Sequence, residues 1–393
     1  METMMTYSGS LNVHDADSHL MEPVGWLEDY ADDKTRTALE KANASVAGIP
    51  DQIIQRFWDR RNDPEKTARL AADVIGGPKG FAAYGAMDSA ERKLALDQMG
   101  YVTQVVFPTM AIPRFAFHAD QDLLYWGASA LIRGMVDFCS VDKRLLPVVF
   151  IPMDDPERST KLVEEAVESG ARVAWIPHDV PKDKSPTHPA FDGVWARLAE
   201  ARIPIVLHIG GTPDLGTLPR TYNNNGRTRG KDFGGGEDSL RSKDFVQTHH
   251  MAETLLGCLV FDGIFEKFAG LKCFLAELGA RWVPSFLQSL DGGLQFGQFE
   301  AELKKLTLKP SDYIRRQVKF APWHFEDVAW LVGNDCADLL LYSSDWPHPE
   351  GGKDPIGAFR DSLASFGADQ DVQRKFFHDN MAELLGTEGA ALG

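Results

Sequence analysis

Short apolar runs recur along the chain, each closed by Gly, Pro or a polar side chain. They are LNVHDADSH (11–19), YVTQVVFP (101–108), LLPVVFIP (145–152), ARVAWIPH (171–178), IPIVLHIG (203–210), LKCFLAELG (271–279), VKFAPWH (318–324) and LLLYSSDWPHP (339–349). Runs this brief and this rich in Val, Ile, Leu and Phe read as parallel strands buried on both faces. Helical patterns fill the gaps. SAERKLALDQMG has Asp88 or Ser89 as its N-cap and Gly100 as its stop. DPERSTKLVEEAVESG starts at Asp155-Pro156 and stops at Gly170. PAFDGVWARLAEAR, AETLLGCLVFDGIFEKFAG and FEDVAWLVGND follow, and DVQRKFFHDNMAELLG predicts a C-terminal helix on the outside of the domain. Eightfold strand–helix alternation predicts an α/β fold, a distorted (β/α)8 TIM barrel spanning 1–393 as one domain. The second architecture, an open doubly wound sheet, lacks a GxGxxG after its first strand.

Two stretches exceed a minimal barrel. Residues 20–85 separate the first strand from its helix and carry Trp26, Tyr30, Phe57, Trp58, Phe81 and Tyr84. Residues 212–248 follow the fifth strand and are rich in Gly and Asn. Both leave the carboxyl ends of strands, where barrel enzymes build their sites, so they are expected to cover the mouth as a lid. The second holds six basic residues (Arg220, Arg227, Arg229, Lys231, Arg241, Lys243) against five acidic ones. In an otherwise acidic chain that suits an anionic substrate.

Composition narrows the class without naming a substrate. The 393 residues are 44% hydrophobic and carry a formal charge of −16, which argues against a nucleic-acid or anionic-membrane surface. Cys139, Cys258, Cys273 and Cys336 form no CxxC pair and suit buried thiols in a reducing compartment. The N-terminus lacks a basic segment followed by an apolar one, and no run approaches a membrane span. A cytoplasmic enzyme acting on a small molecule is expected.

The strand tips carry the chemistry. Strand alternation puts Asp17 and His19 on one face of the first run, and leaves His208, Glu277 and Asp345 at the inward ends of the fifth, sixth and eighth. Taken singly, each has an ordinary structural reading. Together, ionisable groups buried at one barrel mouth are costly unless they pair or hold a metal. Imidazoles plus carboxylates are what a divalent transition metal takes while keeping a position for substrate.

The segments DADSHLMEP, VLHIGG, FAGLKCFLAELGARWVPSFLQSLD and LLYSSDWPHPEG resemble the signatures of the amidohydrolase-2 family. That branch of the metal-dependent amidohydrolases includes aminocarboxymuconate semialdehyde decarboxylase. The resemblance implies one catalytic divalent cation, zinc first and manganese second, with Asp17, His19, His208 and Asp345 as ligands. A dimer is implied by the same analogy. Departures from the pattern are informative. The first motif is Asp-x-His rather than His-x-His, no lysine ends the fourth strand, and Glu277 stands where the family's decarboxylases place a histidine.

From these residues the first expectation is hydrolysis, with Asp345 or Glu277 moving the proton of a metal-activated water. The second is non-oxidative decarboxylation of an aromatic or unsaturated acid, with His249, His250, His178 or His324 as proton donor. His249 is carried as a catalytic candidate, and Arg281, His324 and Arg229 as substrate contacts. His348 is expected to support the ligands from behind or to fix its loop rather than to bind the metal itself. A barrel used only for binding would not keep such charges buried.

Overall fold

In the computed structural model, residues 6–23, 25–43, 51–210, 222, 224–227, 242–296, 302–365 and 367–387 are described. Seven parallel strands lie in chain order: β1 (His14–Leu20), β2 (Thr103–Pro108), β3 (Leu145–Phe150), β4 (Val173–Trp175), β5 (Ile205–His208), β6 (Cys273–Ala276) and β7 (Val318–Phe320). All their residues are buried, as the unbroken apolar runs require.

The eighth run forms no regular strand. Its segment nevertheless closes the sheet, because it bonds to both edges. Leu341 N–H donates to Phe320 O at 2.9 Å on one side, and Ala16 N–H donates to Tyr342 O at 3.0 Å on the other. Further along, Asp345 N–H donates to Asp17 O at 2.9 Å and His19 N–H to Trp346 O at 2.7 Å. Two irregularities break the ladder. β1 shifts register between Asp15 and Ser18, and Asp345 takes a positive φ of 48°. The chain is an α/β barrel of seven strands and an irregular eighth stave.

The helices end where their caps dictate. Asp88 accepts from Glu91 N–H to start Ser89–Met99, and Gly100 stops it in the left-handed region. Asp155, Pro156 and Gly170 do the same for Pro156–Ser169. The longest helix, Gln121–Cys139, carries small residues where others press in. A Cβ on Gly134 would lie 2.5 Å from the Trp26 ring. That contact corrects one expectation. Trp26 and Tyr30 pack on this helix rather than over the mouth, because Gly134 offers them a recess. The final helical stretch runs from Gln370 through Lys375–Asp379 to Leu385. It sits at the amino ends of the strands, with Asn380 Nδ2 donating to Leu340 O at 2.8 Å. Among the described residues, no helix is long and apolar enough to cross a membrane.

Candidate metal centre

The carboxyl ends of β1, β5 and β6 and the eighth stave converge on one buried cluster. His19 Nε2 lies 3.2 Å from Asp17 Oδ1, 3.5 Å from Glu277 Oε1 and 3.6 Å from Asp345 Oδ1. His208 Nε2 lies 3.6 Å from both Asp17 Oδ1 and Glu277 Oε2. His348 Nδ1 lies 3.0 Å from Asp345 Oδ1 and 3.5 Å from Glu277 Oε1. Two overlapping groups result, each with its donor atoms within 4.8 Å: Asp17, His19, His208, Glu277, and His19, Glu277, Asp345, His348. Glu277 and His19 belong to both.

Backbone geometry presents the two carboxylates at the far side. Glu277 follows β6 at φ 54°, and Asp345 sits at φ 48°. Non-glycine residues seldom hold the left-handed region, and where they do the surroundings over-determine them, commonly at functional sites.

Hydrogen bonds behind the rings fix which nitrogen faces the cluster. His208 Nδ1 is 2.6 Å from Ile209 O, so it carries the proton and leaves Nε2 forward. His19 Nδ1 is 3.2 Å from Thr109 Oγ1. Glu22 pins Thr109 in turn, accepting from its backbone N–H and from that of Met110. This is the outer support that orients metal-ligating imidazoles elsewhere.

The forward atoms lie close to one another yet make no well-formed hydrogen bond. Both oxygens of Asp17 and of Asp345, and Nε2 of His19 and of His208, are buried without a hydrogen bond of acceptable geometry. Buried polar atoms are nearly always satisfied. A cluster of such exceptions, all aimed at one another, fits a divalent cation. Burial opposes charge on His208, but Glu277 and Asp17 outweigh it and raise its pKa to about 9. Burial also resists ionisation of Asp17 and Glu277, and the neighbouring histidines hold both below the usual range. Burial, with the charge of Glu277, pushes Asp345 well above it.

Asp17, His19, His208 and Asp345 all reach the mouth, but Glu277 completes the first group with Asp17, His19 and His208, while Asp345 falls in the second with His348. His324 lines the same small cavity as Asp17, Glu277 and Asp345, with a buried Nδ1 that has no partner. Others point elsewhere. His249 lies in the turn that starts the helix His250–Phe261, stacked on Trp282 at 5.1 Å and facing Glu253. Arg281 is drawn to Glu326 and to Phe245 O, with its guanidinium over the Phe245 ring. Their contacts are set by a helix start and an ion pair rather than by strand parity. Arg229 lies outside the described residues, as does most of 212–248.

Two contributors escaped the sequence reading, Thr109 and Glu350, and a third, His348, was not expected among the candidate ligands. Glu350 lines the small cavity with both carboxylate oxygens unpartnered. The dense Pro-His-Pro-Glu run after Asp345 was the available signal for His348 and Glu350. His348 does more than fix its loop, since its ring stacks on His19 at 3.9 Å.

Comparison with known proteins places this geometry. A model of the amidohydrolase family matches residues 15–387. No curated protein matches the chain. Among solved structures, an amidohydrolase from Mycobacterium avium subsp. paratuberculosis is 20% identical with a TM-score of 0.71, covering 96% of this chain and 100% of that one. 5-Carboxyvanillate decarboxylase from Novosphingobium aromaticivorans, complexed with manganese, is 17% identical at a TM-score of 0.62, covering 98% and 99%. 2,6-Dihydroxybenzoate decarboxylase from Rhizobium is 15% identical at 0.61, covering 96% and 100%. At these identities the likeness concerns the fold.

Proposed function

The chain belongs to the amidohydrolase family, and on that premise we propose that it is a metal-dependent, non-oxidative carboxy-lyase acting on an aromatic or unsaturated carboxylic acid. Asp17, His19, His208 and Asp345 would hold one divalent cation, with Glu277 against them. A cation bound there supplies a Lewis acid that grips and polarises an oxygen of the substrate. The manganese of the Novosphingobium decarboxylase makes that metal the first to test, ahead of the zinc expected from sequence.

The observation that carries this reading is the set of unpartnered carboxylate and imidazole atoms, backed by Phe107 and Trp175 packed on the imidazoles and opening on a small cavity lined by Trp323 and Pro322. Apolar surroundings of that kind suit a planar substrate and strip water from its carboxylate. Loss of CO2 disperses that negative charge into the ring, so a dry pocket raises the ground state more than the transition state. The C–C bond breaks, CO2 leaves, and the electron pair stays on the ring carbon until a proton reaches it. We assign that proton to His324, whose unpartnered Nδ1 faces the cavity shared with Asp17 and Asp345. Burial and Lys79 hold its pKa down, and an arriving anion would raise it.

Hydrolysis, the first expectation from sequence, keeps one specific support. The Glu277 carboxylate is close enough to His19 and His208 to take a proton from a water held among them. The two readings separate in one experiment. Protein loaded with manganese is incubated in heavy water with a panel of hydroxybenzoates, esters and amides. Decarboxylation gives CO2 and a single deuterium on the vacated carbon. Cleavage products without CO2 would overturn the carboxy-lyase reading in favour of hydrolysis.

A further inference from the structure

The insertion after β1 has a second part that no role yet explains. The helices Asp51–Arg61 and Pro64–Ala72 and the turn Gly80–Ala82 enclose a cleft of about 670 Å3. That lies within the 300–1,000 Å3 typical of small-molecule sites. Its floor is apolar, including Phe57, Leu70 and Phe81. Its charged lining is wholly basic: Arg56, Arg60, Lys66, Arg69 and Lys79, with no carboxylate among the described residues. In a chain of net charge −16 this is a local inversion of sign.

Two of the five cations are already neutralised. Arg60 makes a bidentate pair with Glu91, and Lys66 lies 3.0 Å from Asp63. The other three are not. Among the described residues Arg56 has no carboxylate partner and Arg69 donates only to the carbonyl of Glu65. Lys79 Nζ is buried with no hydrogen bond at all. Burial brings its pKa down to about 8, against the pull of Asp345 and Asp73. An ammonium left unpaired at such a place is costly unless an anion arrives to meet it.

The cleft also adjoins the metal centre. Trp346 Nε1 donates to Val74 O at 2.9 Å, and Gly80 N–H donates to Pro347 O at 2.8 Å. The segment that ends in Lys79 is thus stitched to the stave that carries Asp345 and His348. We propose that this cleft is a binding site for an amphipathic carboxylate, its apolar body on Phe57, Leu70 and Phe81 and its charge on Arg56, Arg69 and Lys79. As the place where substrate is recognised before reaching the centre, it rests on the carboxy-lyase reading. Its preference for an anion with an apolar body does not.

The test is calorimetric titration of the full-length, metal-loaded protein with 1-naphthoate and with its neutral isostere, 1-naphthamide. Naphthoate is expected to fill the cleft at least tenfold more tightly than the amide, and any second equivalent, taken up at the metal centre, is the one that His208→Ala removes. The double change Arg56→Ala with Arg69→Ala, and separately Lys79→Met, should each weaken binding in the cleft tenfold or more, while Lys79→Arg retains it. His208→Ala, at the metal centre, should leave it within twofold. Equal affinity for acid and amide would overturn the proposal. So would naphthoate binding unchanged by Lys79→Met, which probes the cleft even if the double variant does not fold, or binding lost only in His208→Ala. Absence of CO2 release from any substrate, with naphthoate still bound in the cleft, would fault the carboxy-lyase reading and leave the cleft standing.

Discussion

Asp15 and Asp17 stand two residues apart on β1, both fully buried, and are treated in opposite ways. Asp15 accepts from the Ser344 N–H at 2.8 Å, the Ser344 hydroxyl at 2.7 Å and Gln104 Nε2 at 2.9 Å. Gln104 accepts in turn from Arg92, which also donates to the carbonyls of Gly85 and His19. Every strong donor in that layer is used, and the network ties β1 to β2, to the helix Ser89–Met99 and to the eighth stave. One turn of the pleat higher, neither oxygen of Asp17 has a hydrogen bond. The residue type and the burial are the same in both. What differs is that the fold supplies donors below and withholds them above, which separates a carboxylate that holds the barrel together from one kept for a ligand.

That contrast can be broken by substitution. The largest effect is expected on activity: Asp17→Asn or His208→Ala should cut CO2 release by more than about 100-fold, beyond what loss of an outer hydrogen-bond partner costs. Their circular dichroism should match the parent protein. Asp15→Ala should instead act on stability, costing about 3–5 kcal/mol in urea unfolding, because it strands buried donors of a connected network. Asp17→Asn in metal-free protein should cost less by the same assay, because it strands no network of donors and removes only part of the charge that holds the proton on His208.

A third test uses pH. His208 is raised from an ordinary 6.5 to about 9 in the metal-free fold, so the folded state holds its proton more tightly than the unfolded one. Its contribution, on the order of 3 kcal/mol, is fully present below pH 6.5 and lost as pH rises through 9. Metal binding must displace that proton, so affinity should move the other way and strengthen over the same window. Urea unfolding and metal titration across pH 6–9 check both signs. The smallest expected effect is that of Thr109→Val, which unties His19 Nδ1 and should weaken metal binding by about 10-fold.

Strand parity made much of this visible beforehand. Asp17, His19, His208 and Glu277 occupy alternating positions at or just past regular strands, where a period of two reports the inward face directly. The eighth stave was read as a strand, but it turns at Asp345, and His348 N–H donates back to Asp345 O at 2.8 Å. A reversal of that kind brings His348 and Glu350 into the site by a route that alternation cannot express. Thr109 likewise lies just beyond its strand, held by Glu22 through contacts distant in sequence. His249 and Arg281 neighbour the site's elements along the chain, and their contacts are set by a helix start and by the Glu326 carboxylate rather than by alternation. The insertion 20–85 was expected to cover the mouth. Its first helices pack on Gln121–Cys139, and only its later part borders the centre.

The central claim is that the unpartnered atoms at the barrel mouth are ligands of a divalent cation. Metal analysis of protein dialysed against manganese, compared among the parent, Asp17→Asn and Asp15→Asn, tests it most directly. The account predicts one manganese per chain in the parent and in Asp15→Asn, and none in Asp17→Asn. Manganese retained in full by Asp17→Asn, or absent from the parent, would contradict it.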